Sequence, residues 1–437
     1  MFEELKGKRL LVLGGTAWAD ILFAFAEEND IQLLTTGKNP NKMFDEYYYV
    51  DSTDHEGMKK LIKEKNIDGV YVGSHEGVIR QATQYLAELG LPCYCRVDQW
   101  DTLMNKRKFK DLCQKFDIPV APKYSWSPEN PCEIHFPVIT KPADGCASVG
   151  IKICHNEEDL REGYQFAYEN SPSHEVLVEK LVNNSGMDVF FQITNSEIEF
   201  CGLGDKYPVQ LAEGAGSVAG ARILPSVYTD DFRSRFEDKL KAMFKSVGLY
   251  QGLIWMEVFH DGDNYYFNEV GYRPNGSLTI IGVDYFYNIN TVAADIYYAL
   301  TGIGKRDGFN SLILKEHRKD KKKICEYWVA VNSGIIGSIS GIDKVKEHPN
   351  VLAAFPKYDI GSTVPHTNGF AQNFCVIHFA YDNSNELLET IGYIQKTVSV
   401  RDVCGKDMII PKNQFFIDTL ARDSQDVYNI LDSVQDR

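Results

Sequence analysis

Apolar runs and helical stripes alternate along the first hundred residues. Lys8-Arg-Leu-Leu-Val-Leu-Gly14-Gly-Thr16 reads as a buried strand entering a glycine turn. A helical stretch follows from Trp18 to Glu28, then a strand from Ile31 to Thr35, a helix over 55–65 and a strand from Gly69 to Gly73. Strand–helix alternation of this kind predicts a parallel open sheet, here within residues 1–103. Gly14-Gly15 lacks the full spacing of a dinucleotide-binding turn, so a plain tight turn is the expected role.

Beyond residue 103 the pattern changes. Phe109, Leu112, Cys113 and Phe116 recur at helical spacing. A compact β–loop–β–α–β unit is expected from Tyr124 to Val182. A second amphipathic helix carries Phe236, Leu240, Met243, Phe244 and Val247, and another helix is expected near 290–301. Between them, Leu253 to Phe259 and Tyr265 to Val270 read as two strands joined by a Gly/Asp/Asn turn. Residues 325–437 mix short strands with a helix from Ser384 to Gln395 and a Gly/Ile/Ser-rich segment, Gly334 to Gly341. The basic run Lys315 to Lys323 reads as a solvated linker between the last two blocks. The fold class is α/β, with expected units at 1–103, 104–314 (a lid at about 122–184) and 325–437.

Composition narrows the chemistry. The 437 residues are 44% apolar and 24% charged, the balance of a folded soluble protein of two or three domains. A formal charge of −15 disfavours a long nucleic acid as partner. No membrane-spanning stretch is visible. The ten cysteines are scattered without a CxxC, which fits buried thiols in a reducing cytoplasm better than zinc or a disulfide framework.

The hairpin is the strongest chemical signal. Opposed residues in a hairpin point to one side with Cβ atoms roughly 5 Å apart. Glu257 and Glu269 are expected to face each other in this way, and a divalent cation is the natural counter-charge. Upstream, Pro137-Val-Ile-Thr-Lys141-Pro is a strand ending in a lysine. It is followed by Ala143-Asp-Gly-Cys-Ala-Ser148-Val-Gly150, an octet of mostly small residues. Such a loop lets backbone N–H groups approach an anion, although by itself it equally describes a flexible hairpin loop. Glu179-Lys180 interrupts the apolar strand Glu175 to Val182, and Gly186-Met-Asp188 follows.

The order of these features resembles the ATP-grasp superfamily, which includes biotin carboxylase, D-alanine–D-alanine ligase and the L-amino acid ligases. The pattern is nearest the biotin carboxylase-like and L-amino acid ligase branch. Lys106 stands thirteen residues before Pro119, a spacing like that from the family's first ATP lysine to its turn. Glu269-Val-Gly-Tyr-Arg273 resembles its Glu-x-Asn-x-Arg segment, with Gly271 where the family has the metal-binding Asn.

The resemblance implies an N-terminal Rossmann-like domain, an ATP-grasp domain with a lid and a C-terminal α+β domain. It implies ATP with two Mg²⁺ ions, Mn²⁺ being an acceptable substitute. Lys106 and Lys141, with Ser148 of the loop, would meet the phosphates. Glu179, Lys180 and Val182 would meet the adenine, and Asp188 the ribose. Glu257 and Glu269 would hold the metal. Residue 268 should point away along its strand, which leaves Asn275 as the helper. Arg273 would hold the substrate carboxylate or acyl-phosphate, making it and Lys141 the catalytic pair. Arg222, just after the loop Glu213–Gly220, is a further candidate carboxylate contact.

The implied activity is carboxylate–amine ligation through an acyl-phosphate, on small-molecule substrates, with no nucleic acid or membrane partner and a homodimer as the common family assembly. Two alternatives stay open. One is activation of bicarbonate or formate. The other is a non-catalytic ATP-binding regulator, which Gly271 alone supports.

Overall fold

The computed structural model describes residues 2–13, 18–37, 44–144, 149–182, 185–211, 217–262, 264–276, 278–313, 322–367, 369–412, 416–417 and 419–420. The Gly14–Thr16 turn, Ser148, residues 213–216 of the 213–220 loop and residues 315–321 of the basic run lie outside these residues.

The first unit contains β1 (Arg9–Leu13), α1 (Ala19–Asn29), β2 (Gln32–Thr36), β3 (Glu46–Tyr48), α2 (His55–Glu64), β4 (Gly69–Tyr71), α3 (Glu76–Leu89) and α4 (Val97–Leu103). Its four strands are parallel in the order β3-β2-β1-β4. Leu10 to Leu13 are buried on both faces, which is what an uninterrupted apolar run in a parallel sheet requires.

Next comes α5 (Lys106–Lys115), with Phe109 and Cys113 buried and Leu112 and Phe116 packed at the core's margin. Asn105 caps it by accepting from the Lys108 N–H at 3.0 Å. A separate antiparallel sheet then holds β5 (Lys123–Tyr124), β6 (Val138–Pro142), β7 (Lys152–Cys154) and, after α6 (Glu157–Glu169), β8 (Val176–Lys180). It has its own small core of Trp126, Val138, Cys154, Leu160, Ala167, Val176 and Val178.

The remaining chain builds an eight-stranded antiparallel sheet. Its first strands are β9 (Ser185–Thr194), β10 (Glu197–Gln210) and β11 (Ser217–Leu224), then, past α7 (Thr229–Val247), β12 (Gln251–His260) and β13 (Tyr265–Tyr272). After α8 (Ile280–Tyr287) and α9 (Thr291–Thr301) come β14 (Lys323–Ala330), β15 (Gly334–Ser340), α10 (Ile342–Lys346), β16 (Val351–Pro356), β17 (Thr363–Val364), β18 (Asn373–Tyr381), α11 (Ser384–Thr397) and β19 (Ser399–Asp402). The order across the large sheet is β13-β12-β9-β10-β11-β14-β18-β16. The last block therefore does not start a new sheet: β14 pairs directly with β11, Arg222 opposite Glu326. Only β15, β17 and β19 form a small sheet of their own. A boundary near residues 314–325 divides the sequence pattern, but the strand ladder runs across it.

One core cluster joins Leu5, Leu10 and Phe25 of the first unit to Val292 and Ile296 of α9 and to Trp328 and Val376 of the last block. Gly69 marks how tightly β4 meets α9: a Cβ there would stand 2.3 Å from the Ala299 carbonyl oxygen. Gly69→Ala is expected to cost about 1–3 kcal/mol in urea unfolding, because backbone cannot give way as a side chain can.

Candidate active site

The glutamate hairpin forms as expected, by a route the sequence does not show. Pairing runs His260↔Tyr265, Phe259↔Tyr266 and Val258↔Phe267. Continued evenly, it would set Glu257 against Asn268. One extra residue is instead accommodated on β13, so Glu257 pairs with Glu269. A bulge of this kind turns the extra residue toward the partner strand. Asn268 accordingly does not point away; its Nδ2 donates to Glu257 Oε2 at 2.5 Å. The expectation that Asn275 is the helper fails with it. Asn275 is buried, donates to Thr279 Oγ1 at 3.0 Å and accepts from the Thr279 N–H at 3.2 Å, so its amide is used to fix the loop.

Gly271 sits opposite Trp255. A Cβ on Gly271 would lie 2.1 Å from the indole Nε1, so the Trp255 ring fills the space a side chain there would need. The same ring carries the Arg273 guanidinium 5.3 Å from its centroid. Arg273 also reaches back to the first unit, with Nη2 and Nε on Glu76 Oε1 at 2.6 and 3.2 Å, and donates Nη1 to the Pro274 carbonyl at 3.0 Å. Glu76 is the first residue of α3 and was not singled out in the sequence.

Four lysines from three elements converge on the carboxylates. Lys106, at the start of α5, lies 3.3 Å from Glu269. Its backbone N–H donates to the Ala143 carbonyl at 2.9 Å, which ties the helix start to the small-residue loop. Lys141 donates to Asn268 Oδ1 at 2.7 Å and pairs with Glu179 at 2.7 Å. Lys110 holds the other oxygen of Glu179, and Lys206 of β10 bridges Glu257 and Asp188, the latter at 3.4 Å. Neither Lys110 nor Lys206 was anticipated. Lys110 was legible, because it lies four residues after Lys106 on one helical stripe with Cys113.

Burial and partners set the charge states. Burial pushes Glu257 and Glu179 up, but their lysines outweigh it and both carboxyls lie below the usual range. Burial pulls Lys106 and Lys206 down, yet their carboxylates bring both above the usual lysine value. Lys110 is the exception: burial first, then repulsion from Lys141, lowers it to about 7.

Asp188 does not present an open face to a sugar. It is buried between Arg222 and Lys206, and Arg222 continues to Glu326 of β14 and to Thr279 Oγ1 at 2.8 Å. Arg222 is therefore engaged inside the fold and does not meet an incoming carboxylate. Along the strand end, the N–H groups of Lys180 and Leu181 donate to the carbonyls of Pro122 and Pro137 at 2.9 and 3.2 Å. Glu179 is buried under the lysines, so its side chain orders Lys110 and Lys141 and does not face a base. Val182 closes this strand end, half-buried.

The donor set fits a divalent cation bound together with a polyphosphate. Glu257 and Glu269 supply hard oxygen ligands, and the places beside them are taken by ammonium groups, which mark them as positions for positive charge.

Residues 106–205 match the family described as D-ala D-ala ligase C-terminus. The chain is 22% identical over 267 residues to the carbamoyl phosphate synthase large chain of Clostridium perfringens, covering 57% of this chain and 24% of that one. It is 27% identical over 189 residues to the formate-dependent phosphoribosylglycinamide formyltransferase of Prochlorococcus marinus, 40% of this chain and 48% of that one. It thus spans about a quarter and about half of these relatives. Among solved structures, an L-amino acid ligase from Bacillus licheniformis superposes with a TM-score of 0.71 at 15% identity, over 91% of this chain and 99% of that one. The biotin carboxylase domain of Hydrogenobacter thermophilus 2-oxoglutarate carboxylase, solved with MgADP and bicarbonate, gives 0.74 at 17% identity, over 94% and 95%.

Two outcomes follow from the ion pairs. Lys206→Met should tighten Mn²⁺ binding without nucleotide by about tenfold, or about 1.4 kcal/mol, in a calorimetric titration, since it removes the ammonium that neutralises Glu257. Arg222→Met should destabilise the fold by about 3–5 kcal/mol in urea, because it leaves Asp188 and Glu326 buried without their shared cation.

Proposed function

We propose that this chain is an ATP-grasp ligase, joining a carboxylate to an amine with ATP and Mg²⁺, through an acyl-phosphate, with release of ADP and phosphate; the family match over residues 106–205 supports this reading. The observation that carries this reading is the convergence of Lys106, Lys141 and the paired Glu257 and Glu269, from α5, the lid sheet and the large sheet, on one point.

Phosphoryl transfer needs positioning and charge neutralisation more than covalent help from the protein. Glu257 and Glu269 would hold Mg²⁺, which when bound would supply charge neutralisation to the transferring phosphate. Lys106 and Lys141 would each exchange a carboxylate partner for a phosphate oxygen. Asn268 then matters twice, because it links Lys141 to Glu257 and so couples the phosphate lysine to the metal carboxylate. Glu179 pairs with Lys141 at 2.7 Å and so fixes its position. The lid sheet, with its own small core, would close over the phosphates and keep water from the acyl-phosphate.

Arg273 is the group we assign to the substrate carboxylate. Its plane is fixed by Trp255 and by Glu76, and the N–H groups not used by Glu76 and Pro274 are its means of holding an oxyanion. The amine then displaces phosphate from the activated acyl carbon. With Trp255 in place of a third ligand at position 271, the carboxylates alone would hold metal weakly until a polyphosphate adds its own oxygens. Mg²⁺ number, use of Mn²⁺ and a homodimeric assembly belong to the same proposal. Among the described residues no helix is long and apolar enough to cross a membrane.

A second reading, activation of bicarbonate or formate, has one specific observation in its favour: similarity to a relative named as formate-dependent, over a segment of 189 residues.

A phosphate-release screen with ATP, Mg²⁺ and pairs of acids and amines separates the readings. Release that needs both an acid and an amine is expected. Release with formate or bicarbonate plus an amine would favour the second, and ATP binding without any release would favour a regulator. In the active combination, Glu269→Gln is expected to lower turnover by at least about a hundredfold, on the order of 2.7 kcal/mol of transition-state stabilisation. Unchanged turnover would remove the metal assignment. Lys141→Ala should weaken ATP binding about tenfold in a titration while the melting transition persists.

A further inference from the structure

The buried and half-buried cations around the hairpin each pair with an acid. Lys106 has Glu269, Lys110 and Lys141 share Glu179, Lys206 has Glu257 and Asp188, Arg222 has Asp188 and Glu326, and Arg273 has Glu76. Lys357, just past β16, breaks this rule. It is half-buried and makes no ion pair among the described residues. Its Nζ lies 3.6 Å from the centroid of the Phe370 ring.

That ring connects Lys357 to the reaction centre. Phe370 packs against Gly276, where a Cβ would stand 3.2 Å from its Cε1. Gly276 is three residues beyond Arg273, in the loop that Asn275 and Thr279 hold. The segment around Lys357 is itself fixed. Its N–H donates to the Phe374 carbonyl at 2.8 Å, and the neighbouring Tyr358 hydroxyl donates to the Ala371 carbonyl at 2.6 Å.

Burial lowers Lys357 to about 8, and no neighbouring carboxylate restores it. Lys412, also lowered to about 8 by burial, differs because its ammonium donates to the Trp328 carbonyl at 2.7 Å and lies over Tyr327 and Phe416. An ammonium left without an anion beside the substrate loop is costly unless a ligand completes it.

We propose that Lys357 is a specificity-determining residue that receives a second anionic group of the substrate. The acid activated here then carries a carboxylate or phosphate at the end remote from the carboxylate on Arg273. This rests on the ligase reading given above. Phe370 touches both Lys357 and Gly276, so on this proposal it would take part in selecting acids by length as well as by charge.

The test compares matched acids in the phosphate-release assay: glutarate against pentanoate, L-glutamate against L-norvaline, and phosphoglycolate as the phosphate-bearing probe. Ammonium and glycine serve as amines. The wild-type chain should prefer the dianionic member of a pair by about tenfold or more in kcat/KM. Lys357→Met should raise KM for that acid by about tenfold or more with kcat nearly kept, and Lys357→Arg should recover most of the loss. Preference for phosphoglycolate over glutarate, or the reverse, identifies the distal group. Equal use of neutral and dianionic acids, or an unchanged KM in Lys357→Met, overturns the proposal.

If no acid releases phosphate, ligation fails as the activity, and calorimetry decides Lys357 separately, with the same acids, Mg²⁺ and a non-hydrolysable ATP analogue. Binding of a dianionic acid that weakens about tenfold in Lys357→Met supports the anion site. Equal binding, or none to the wild-type chain, refutes it. If Lys357→Met does not fold, Lys357→Gln takes its place.

Discussion

Two carboxylates facing each other across a hairpin must be neutralised, and much of the site's arrangement answers that requirement. Glu257 and Glu269 each draw an ammonium, Lys206 from the neighbouring strands and Lys106 from a helix start. Lys206 draws in Asp188, Asp188 draws Arg222, and Arg222 draws Glu326 on a strand contributed by the end of the chain. The result is a row of alternating charge across one face of the large sheet. Asp188, Arg222 and Glu326 are buried, and the pairing along the row counters part of that cost. Removal of any one would leave the next with its desolvation uncompensated.

On the proposed function, the row would also let the site respond to ligands. An ammonium beside a carboxylate is a counter-ion that a metal and a phosphate can exchange together: the metal takes the carboxylate and the phosphate takes the lysine. Each carboxylate would keep a cation, and each lysine an anion, through such an exchange. Asn268 sits at its centre, with its carbonyl oxygen on Lys141 and its amide on Glu257.

Much of this was legible in the sequence, and the limits have physical causes. The helical stripes of α5 and α7 and the alternation before residue 103 report local burial, which a period of 3.6 or a strand run exposes directly. Lys106, Lys141, Glu257 and Glu269 were readable because their spacing and flanking residues resemble a known order. Asn268 was misread because a bulge depends on pairing, and a strand read alone predicts strict alternation. Asp188 and Glu179 were assigned outward roles from position in that order, yet their pairing with Arg222, Lys206, Lys110 and Lys141 is set by neighbours 18 to 69 residues away. Gly271 showed as a gap in the sequence, whereas the fold fills it with Trp255. The end of the chain looked like a separate block because its strands and helices repeat the mixed pattern of an independent domain, and nothing local says that β14 will pair with β11.

That last pairing has a consequence for how this protein can be cut or borrowed. A fragment ending before residue 322 would keep every residue of the hairpin and both phosphate lysines. It would also turn β11 from an interior strand into a bare edge, with a row of open backbone donors and acceptors beside the unshielded guanidinium of Arg222. Such an edge invites pairing with another chain. The block before residue 322 is thus not a transferable module: its edge is covered by the segment that follows it, and exchange of that segment would require a replacement strand carrying an acid in the place of Glu326.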